Sequence, residues 1–295
     1  VNALILQFLD YVSLECGLSP NTREAYASDL KSFQVFLETA GVTSFNGVTR
    51  RHVLDFLNSE KDKGLSVRSI SRRLVAIKVF FRYMVRESLL GKDVTEIMDS
   101  PKTGRVLPSV LTYKEVERLL ASPAGDGKYA LRDRAILELL YATGIRVSEC
   151  AGLKLDDVHF DSGHLRCTGK GNKMRIVPFG ETARDRLQRY LSDARPKFPS
   201  AESVRAFFLT YRGRGYSRKG LWALVKSHSR RAGITKDIHP HTLRHSFASH
   251  LLANGAPLRV IQEMLGHADI ATTQVYTHVD QDTLKSIHEK YHPRA

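Results

Sequence analysis

The sequence predicts a mainly helical protein of two domains, with one small three-stranded sheet in the second. Three observations carry that reading. The 295 residues exceed the size at which one hydrophobic core comfortably grows. Apolar residues recur at helical spacing behind recognisable caps over most of the chain. Alternating, strand-like segments are confined to the stretch between 158 and 178.

The elements follow in order. Leu4, Phe8 and Tyr11 with Val12 share one face of a first helix. Asp10 and Glu15 interrupt it, and it lacks a basic leader and a small-residue cleavage site, so it reads as an amphipathic helix and not as a signal peptide. Ser19 then Pro20 gives an N-cap and a first-turn proline, opening a helix with Tyr26, Leu30, Phe33, Phe36 and Leu37 on its apolar side. Gly41 ends it. A third helix is predicted near Arg50–Lys63 and a fourth near Val67–Arg86, burying Ile70, Leu74, Ile77, Phe80 and Phe81. Four helices with short joints make a helical N-terminal domain over residues 1–99. Arg68, Arg72, Arg73, Lys78 and Arg82 fall on the other face of the fourth helix. A solvated face is the ordinary reading; beside a strongly basic second half, contact with a polyanion is the stronger one, with Arg68, Arg72 and Arg73 as its candidates.

Residues 100–108 read as a linker, with two prolines, a glycine and no apolar periodicity. The second domain is expected over 109–295. Thr112 and Glu115 form a capping box, and an apolar helix is predicted over Leu131–Thr143. Val158–Phe160, His164–Thr168 and Arg175–Pro178 are the strands, the last two joined by the hairpin signal Gly169-Lys-Gly-Asn-Lys173. Helices dominate from Thr182 onward.

Charge narrows the partner. Forty-five Lys and Arg against 31 Asp and Glu give a net charge of +14, of which residues 106–295 carry +11. Between Ser203 and Lys236 there are nine basic residues and no acid. Such an excess points to a polyanion, which charge alone does not resolve into DNA, RNA or an acidic membrane surface. Lys173, Arg212, Arg214, Arg218 and Lys219 are the binding candidates in this half. No run of 18 apolar residues occurs, and the three cysteines are scattered without a CxxC pair. A reduced, cytoplasmic protein without a structural zinc is expected.

Several chemistries have no support. The chain has no GxxxxGK[ST] loop, no GxGxxG and no GxSxG, and Asp156 and Asp157 are adjacent rather than facing each other. His241 and His245 are four apart, as metal ligands on a helix can be, but a third ligand is missing. His245 and His250 read as packing or capping residues. What remains is a concentration of Arg, Lys, His and Tyr. Pro240 at a helix start places His241 and Arg244 on one face. Arg146 follows a helix-ending glycine, with Glu149 one turn on to orient it; Lys170 lies between two glycines at the hairpin tip. His267 follows Gly266, and Tyr276 stands among threonines. A tyrosine is more often a core ring than a nucleophile, but these residue types together suit phosphodiester chemistry. Arginine forks bind non-bridging oxygens, lysine can protonate a leaving hydroxylate, and concentrated positive charge can do a metal ion's work. The residues themselves lead to a metal-independent phosphoryl-transfer site on DNA or RNA.

The strings Ala-Thr-Gly-Ile-Arg146-Val-Ser-Glu, Gly-Lys170-Gly-Asn-Lys, His241-Thr-Leu-Arg244-His, Leu-Gly-His267 and Tyr276-Thr-His resemble those of the tyrosine site-specific recombinases, in that family's order and spacing. Within the family the chain resembles the Xer type, and its length and its ending His292-Pro-Arg-Ala295 resemble the XerD branch most. The resemblance implies a SAM-like core-binding domain followed by a mixed, mostly helical catalytic domain, the two forming a C-shaped clamp on double-stranded DNA. It implies Tyr276 as the nucleophile that forms a 3′-phosphotyrosyl bond, and Arg146 and Arg244 as the clamp on the scissile phosphate. Lys170 would protonate the leaving 5′-oxygen, His241 would assist proton transfer, His267 would hydrogen-bond the phosphate and Glu149 would orient Arg146. No metal, ATP or other cofactor is implied. The implied partners are a paralogous, XerC-like recombinase in a heterotetramer on DNA, and a DNA translocase of the FtsK kind. Chromosome-dimer resolution at a dif-like site is the implied role; a phage or mobile-element integrase, a type IB topoisomerase and a catalytically silent DNA-binding protein are the alternatives. The family exchanges its last helix with a neighbouring protomer, and Asp282–Lys290 is the segment for that here. Cys150 and His239 depart from the residues common at those positions.

Overall fold

Caps written into the sequence set where the N-terminal helices begin. The computed structural model of the chain describes residues 2–16, 18–99, 110–168, 174–266 and 281–295. The expected linker, the hairpin tip with Lys170 and Lys173, and His267 and Tyr276 lie outside the described residues. Two compact units emerge, residues 1–106 and 107–295.

The first unit holds α1 (Asn2–Leu14), α2 (Pro20–Thr39), α3 (Arg50–Asp62) and α4 (Val67–Arg86). Ser19, Thr49 and Ser66 each accept a backbone N–H of the first turn, satisfying donors a helix start leaves orphaned. The apolar stripes meet in an aromatic core. Phe80 sits edge-on to both Phe8 and Phe45, with centroids 5.3 and 4.8 Å away. Beside that core lies a charged knot. Asp29 of α2 and Glu60 of α3 are both buried. Arg72 of α4 donates two hydrogen bonds to Asp29, at 2.9 and 2.8 Å. Arg73 pairs with Glu60 and lies 3.6 Å from Asp29. Three helices are thereby pinned by charge as well as by packing.

The knot corrects the reading of α4. Arg73 does not lie on a free face: its side chain is 13% exposed and held by two carboxylates. Arg72 is half exposed but tied to Asp29, and Lys78 donates to the Met98 carbonyl at 2.6 Å. Arg68 and Arg82 are exposed and make no ion pair among the described residues.

The second unit is built around α6 (Lys128–Thr143), which is buried on nearly every side in its last three turns. It begins three residues before the predicted start. Around it lie α5 (Tyr113–Ala121), α7 (Val147–Gly152), α8 (Glu181–Arg189), α9 (Arg218–Arg231), α10 (Pro240–Ala253), α11 (Leu258–Leu265) and α12 (Gln281–Tyr291). The expected Thr112–Glu115 capping box opens α5. The sheet is antiparallel in the order β1 (Val158–His159), β2 (His164–Thr168), β3 (Met174–Pro178), with Leu165 opposite both Val158 and Val177. The first strand stops short of Phe160, and the third starts one residue early.

Within the single chain, α12 sits on its own unit. Leu284 is buried with Phe247, Leu251 and Met264. Beyond the helix, Arg294 binds Glu138 of α6 through Nε and Nη2, at 2.7 and 3.0 Å, and Glu117 of α5. These apolar and ionic contacts all lie within one chain.

Truncating Asp29 to Ala leaves Arg73 semi-buried with a single partner and should destabilise the first unit by about 3 kcal/mol. The sole tryptophan, Trp222, belongs to the second unit and separates the two. In urea, the Asp29→Ala chain should lose part of its far-ultraviolet helix signal at lower denaturant, while the Trp222 fluorescence midpoint stays in place.

Candidate active site

The site is assembled from helix ends. At the end of α6, Gly144 adopts a left-handed conformation, φ +57°, and a Cβ there would lie 2.5 Å from the Phe247 ring. The chain turns tightly through Ile145 and places Arg146 as the residue that opens α7. Glu149, on the first turn of α7, accepts the Arg146 backbone N–H at 2.7 Å and its Nη1 at 3.1 Å. Glu149 thus contacts both the backbone and the guanidinium of Arg146.

Glu149 has a stronger partner that the sequence did not single out. Arg175, from β3, makes a two-pronged pair with its carboxylate at 2.6 and 2.8 Å. Burial alone would raise the Glu149 carboxyl, but Arg175 and then Arg146 hold it below its ordinary range. The available signal was an arginine in a short strand whose other residues are mostly apolar.

Three arginines converge on the end of α11. Arg175 Nε donates to the Met264 carbonyl at 3.1 Å, Arg244 Nη2 to Leu265 at 2.6 Å and Arg146 Nη2 to Gly266 at 2.6 Å. These are three consecutive carbonyls of the kind that a helix C-terminus leaves without intrahelical partners. Gly266 closes the helix at φ +64°, and a Cβ there would press within 3.0 Å of the Arg175 side chain. Arg244 reaches across to the end of α6 as well, donating from Nη1 to the Gly144 carbonyl at 2.7 Å.

Arg244 is buried, and its pKa is pushed down to about 10, first by burial and then by Arg146 and Arg175. It remains a cation at neutral pH. His241, one turn earlier on α10, is lowered by partial burial and then by His239, Arg244, His245 and Arg146. It is therefore held neutral at pH 7 and able to accept a proton. His239 serves as the N-cap of α10, its Nδ1 accepting the Thr242 N–H at 3.3 Å. Arg146, His241 and Arg244 line one cavity of about 450 Å³, floored by Leu265 and Ile261. No group of three or more His, Cys, Asp or Glu residues that could hold a metal occurs among the described residues. His245 is exposed at the cavity rim, and His250 is buried, bonded to the Tyr141 hydroxyl and the Leu111 carbonyl at 2.8 Å each.

Of the basic candidates elsewhere in this unit, Arg212, Arg214, Arg218 and Lys219 are all exposed. Arg212 and Arg214 border a second cavity of about 560 Å³ with Tyr129, Tyr211 and Tyr216. Arg218 and Lys219 stand on the first turn of α9. The structure does not bring these four to the His241 cavity.

Comparison with known proteins adds the following. Residues 109–283 match the model of the phage integrase family, and residues 5–88 match that of the phage integrase N-terminal SAM-like domain. The tyrosine recombinase XerD of Halalkalibacterium halodurans is 45% identical over 296 residues, covering 100% of this chain and 99% of that protein. The tyrosine recombinase XerD of Listeria monocytogenes serotype 4b is 43% identical over 297 residues, with all of both chains covered. Among solved structures, the XerH site-specific recombinase bound to a difH substrate aligns with a TM-score of 0.70 at 24% identity, covering 96% of this chain and 94% of that one. A lambda integrase dimer bound to a COC′ core site aligns with a TM-score of 0.73 at 17% identity, covering 100% of this chain and 97% of that one. At these identities the likeness to the two structures is one of fold.

Double-mutant cycles should rank the partners of Glu149. The Glu149–Arg175 pair, two-pronged and with side chains 5% and 14% exposed, should show a coupling of about 2–3 kcal/mol. The side-chain pair of Glu149 with the more exposed Arg146 should give about 1 kcal/mol or less, read from chemical unfolding of Glu149→Gln, Arg175→Met, Arg146→Met and the two doubles.

Proposed function

We propose a mechanism on one premise: the chain belongs to the phage integrase family, as a Xer-type tyrosine recombinase nearest the XerD branch. Such an enzyme cleaves and rejoins DNA through a tyrosine intermediate. The observation that carries the residue assignments is the fixing of Arg146 and Arg244 on helix-end carbonyls beside a neutral His241, in one cavity. Each guanidinium spends only part of its five N–H donors on the protein, so both have donors left for non-bridging phosphate oxygens.

On this reading the Tyr276 hydroxyl attacks the scissile phosphorus. The bond from phosphorus to the 5′-oxygen breaks, a 3′-phosphotyrosyl bond forms, and Lys170 protonates the departing 5′-oxygen. His241 assists removal of the phenol proton, and His267 hydrogen-bonds the phosphate. Negative charge that builds on the phosphate in the transition state meets cations already in place, so little reorganisation accompanies the step. The phosphotyrosyl ester conserves the energy of the broken diester. A 5′-hydroxyl from another strand can therefore reseal the DNA without ATP.

The relatives' names extend the reading. A dif-like chromosomal site is the substrate we assign, since the relatives carry the XerD name and XerH is seen on difH. A XerC-like paralogue would complete a heterotetramer on that site, and a FtsK-like translocase would act on it in the cytoplasm, about the nucleoid. Arg68, Arg212, Arg214, Arg218 and Lys219 are the exposed cations we assign to the DNA backbone; Lys173 joins them from the sequence.

Nicked duplexes carrying a dif-type core site test the chemistry. The chain, with or without a XerC-like paralogue, should form an SDS-resistant protein–DNA adduct that is lost in Tyr276→Phe and unaffected by EDTA. Tight binding with no adduct under either condition would instead identify a silent DNA-binding protein. The adduct rate should fall on acidification through a pKa below the ordinary histidine value of about 6.5, because protonated His241 cannot accept the phenol proton. In His241→Gln that acid limb should disappear, leaving a slower and flatter profile. Binding should also weaken steeply with salt, with a log–log slope near −0.9 for each phosphate neutralised.

A further inference from the structure

We propose that His288 is a positioning residue for the arginine pair, acting on the turn at Gly144 through the end of α6. It rests on the reading of Arg146 and Arg244 as the phosphate clamp. His288 belongs to α12 and is 1% exposed. Its Nε2 lies 2.8 Å from the Ala142 carbonyl, so the imidazole carries its proton there and donates it. Ala142 is two residues before Gly144, whose own carbonyl anchors Arg244, and four before Arg146 itself.

A second contact acts on the same turn. The Phe247 ring, three residues after Arg244 on α10, is the group against which Gly144 packs so closely that no side chain fits there. Phe247 also lies beside the imidazoles of His288 and His292, with centroids 6.4 and 5.5 Å away. Those two imidazoles stack on each other at 4.6 Å, 11° from parallel. The end of α6 is thus held by a hydrogen bond from His288 and, through Phe247, by ring contacts with His288 of α12 and His292 just beyond it.

The polar cost of this arrangement argues that it does more than fill space. A leucine would pack an apolar seat without desolvating a ring nitrogen. Here two histidines are buried, and His292 Nε2 has no hydrogen-bond partner among the described residues. The carbonyl that His288 satisfies is in the last turn of α6, where helix carbonyls lack intrahelical donors. With α12 out of its seat, Ala142 would lose that donor, Phe247 would lose its backing, and Gly144 would be free to relax. The seating of α12 therefore becomes a condition for the spacing between Arg146 and Arg244.

His288→Phe keeps a ring and removes the donor; His288→Gln restores an N–H at similar reach. Single-turnover adduct formation on the nicked duplex would be compared with DNA affinity, with Arg146→Ala as reference. His288→Phe should slow adduct formation at least tenfold while changing the Kd for DNA less than threefold, and His288→Gln should recover most of the rate. Hydrogen exchange of the peptide covering 139–147, measured without DNA, should rise in His288→Phe and return toward the wild-type value in His288→Gln. A wild-type adduct rate in His288→Phe, with Arg146→Ala inactive, would overturn the positioning role and leave the clamp standing. An undiminished rate in Arg146→Ala would instead overturn the clamp. Should the duplex give no adduct with any chain, unchanged exchange over 139–147 in His288→Phe would by itself refute the inference.

Discussion

The arginine cluster of this chain hangs on the last two carbonyls of α11 and on that of Gly266, which caps it. Arg175, Arg244 and Arg146 each donate to one of them, in sequence order Met264, Leu265, Gly266. Three guanidiniums drawn this close repel one another, and a single carboxylate, Glu149, cannot neutralise all three. The C-terminal end of a helix carries partial negative charge and unpaired acceptors, so it supplies what the carboxylate lacks. Burial first, and then Arg146 and Arg175, push the pKa of Arg244 down. On the proposed function, an incoming phosphate would relieve the repulsion among the three cations, a reason for such a site to bind the dianionic transition state better than the ground state.

The same geometry explains why two glycines matter. Gly144 and Gly266 end α6 and α11 in left-handed conformations, and both are also points of closest approach, to Phe247 and to Arg175. Each glycine therefore solves two problems at once. It stops a helix so that its carbonyls face the arginines, and it lets a side chain reach the turn. Substituting either would strain the backbone and displace the very group that the turn holds.

Much of this was written locally in the sequence. The caps at Ser19, Thr49, Ser66 and Thr112, the helix-ending glycines and the alternation in β2 and β3 are short-range signals, and the structure places elements where they point. Pro240 does put His241 and Arg244 one turn apart on a shared face of α10. What was not legible depends on contacts far apart in sequence. Arg73 looks like a surface charge until Asp29 and Glu60, 44 and 13 residues away in the numbering, are seen to enclose it. Arg175 meets Glu149 across 26 residues, and His288 meets Ala142 across 146. Pairing of this kind leaves no periodicity, so no pattern in a single sequence announces it.

One consequence joins the two kinds of information. His267 follows Gly266 directly, so the chain leaves the arginine-bearing end of α11 at a carbonyl that Arg146 holds. It enters α12 at Gln281, and α12 in turn holds the end of α6 through His288. Tyr276 lies between these two anchors in the sequence. On the proposed function, the nucleophile thus lies in a stretch of sequence whose two flanking elements both contact the region of the arginines that would clamp its target. On the inference drawn from His288, a change at α12 would bear on the arginines through the end of α6. Mechanical coupling of that form needs no separate relay of residues: two hydrogen bonds to helix ends and one packed ring suffice.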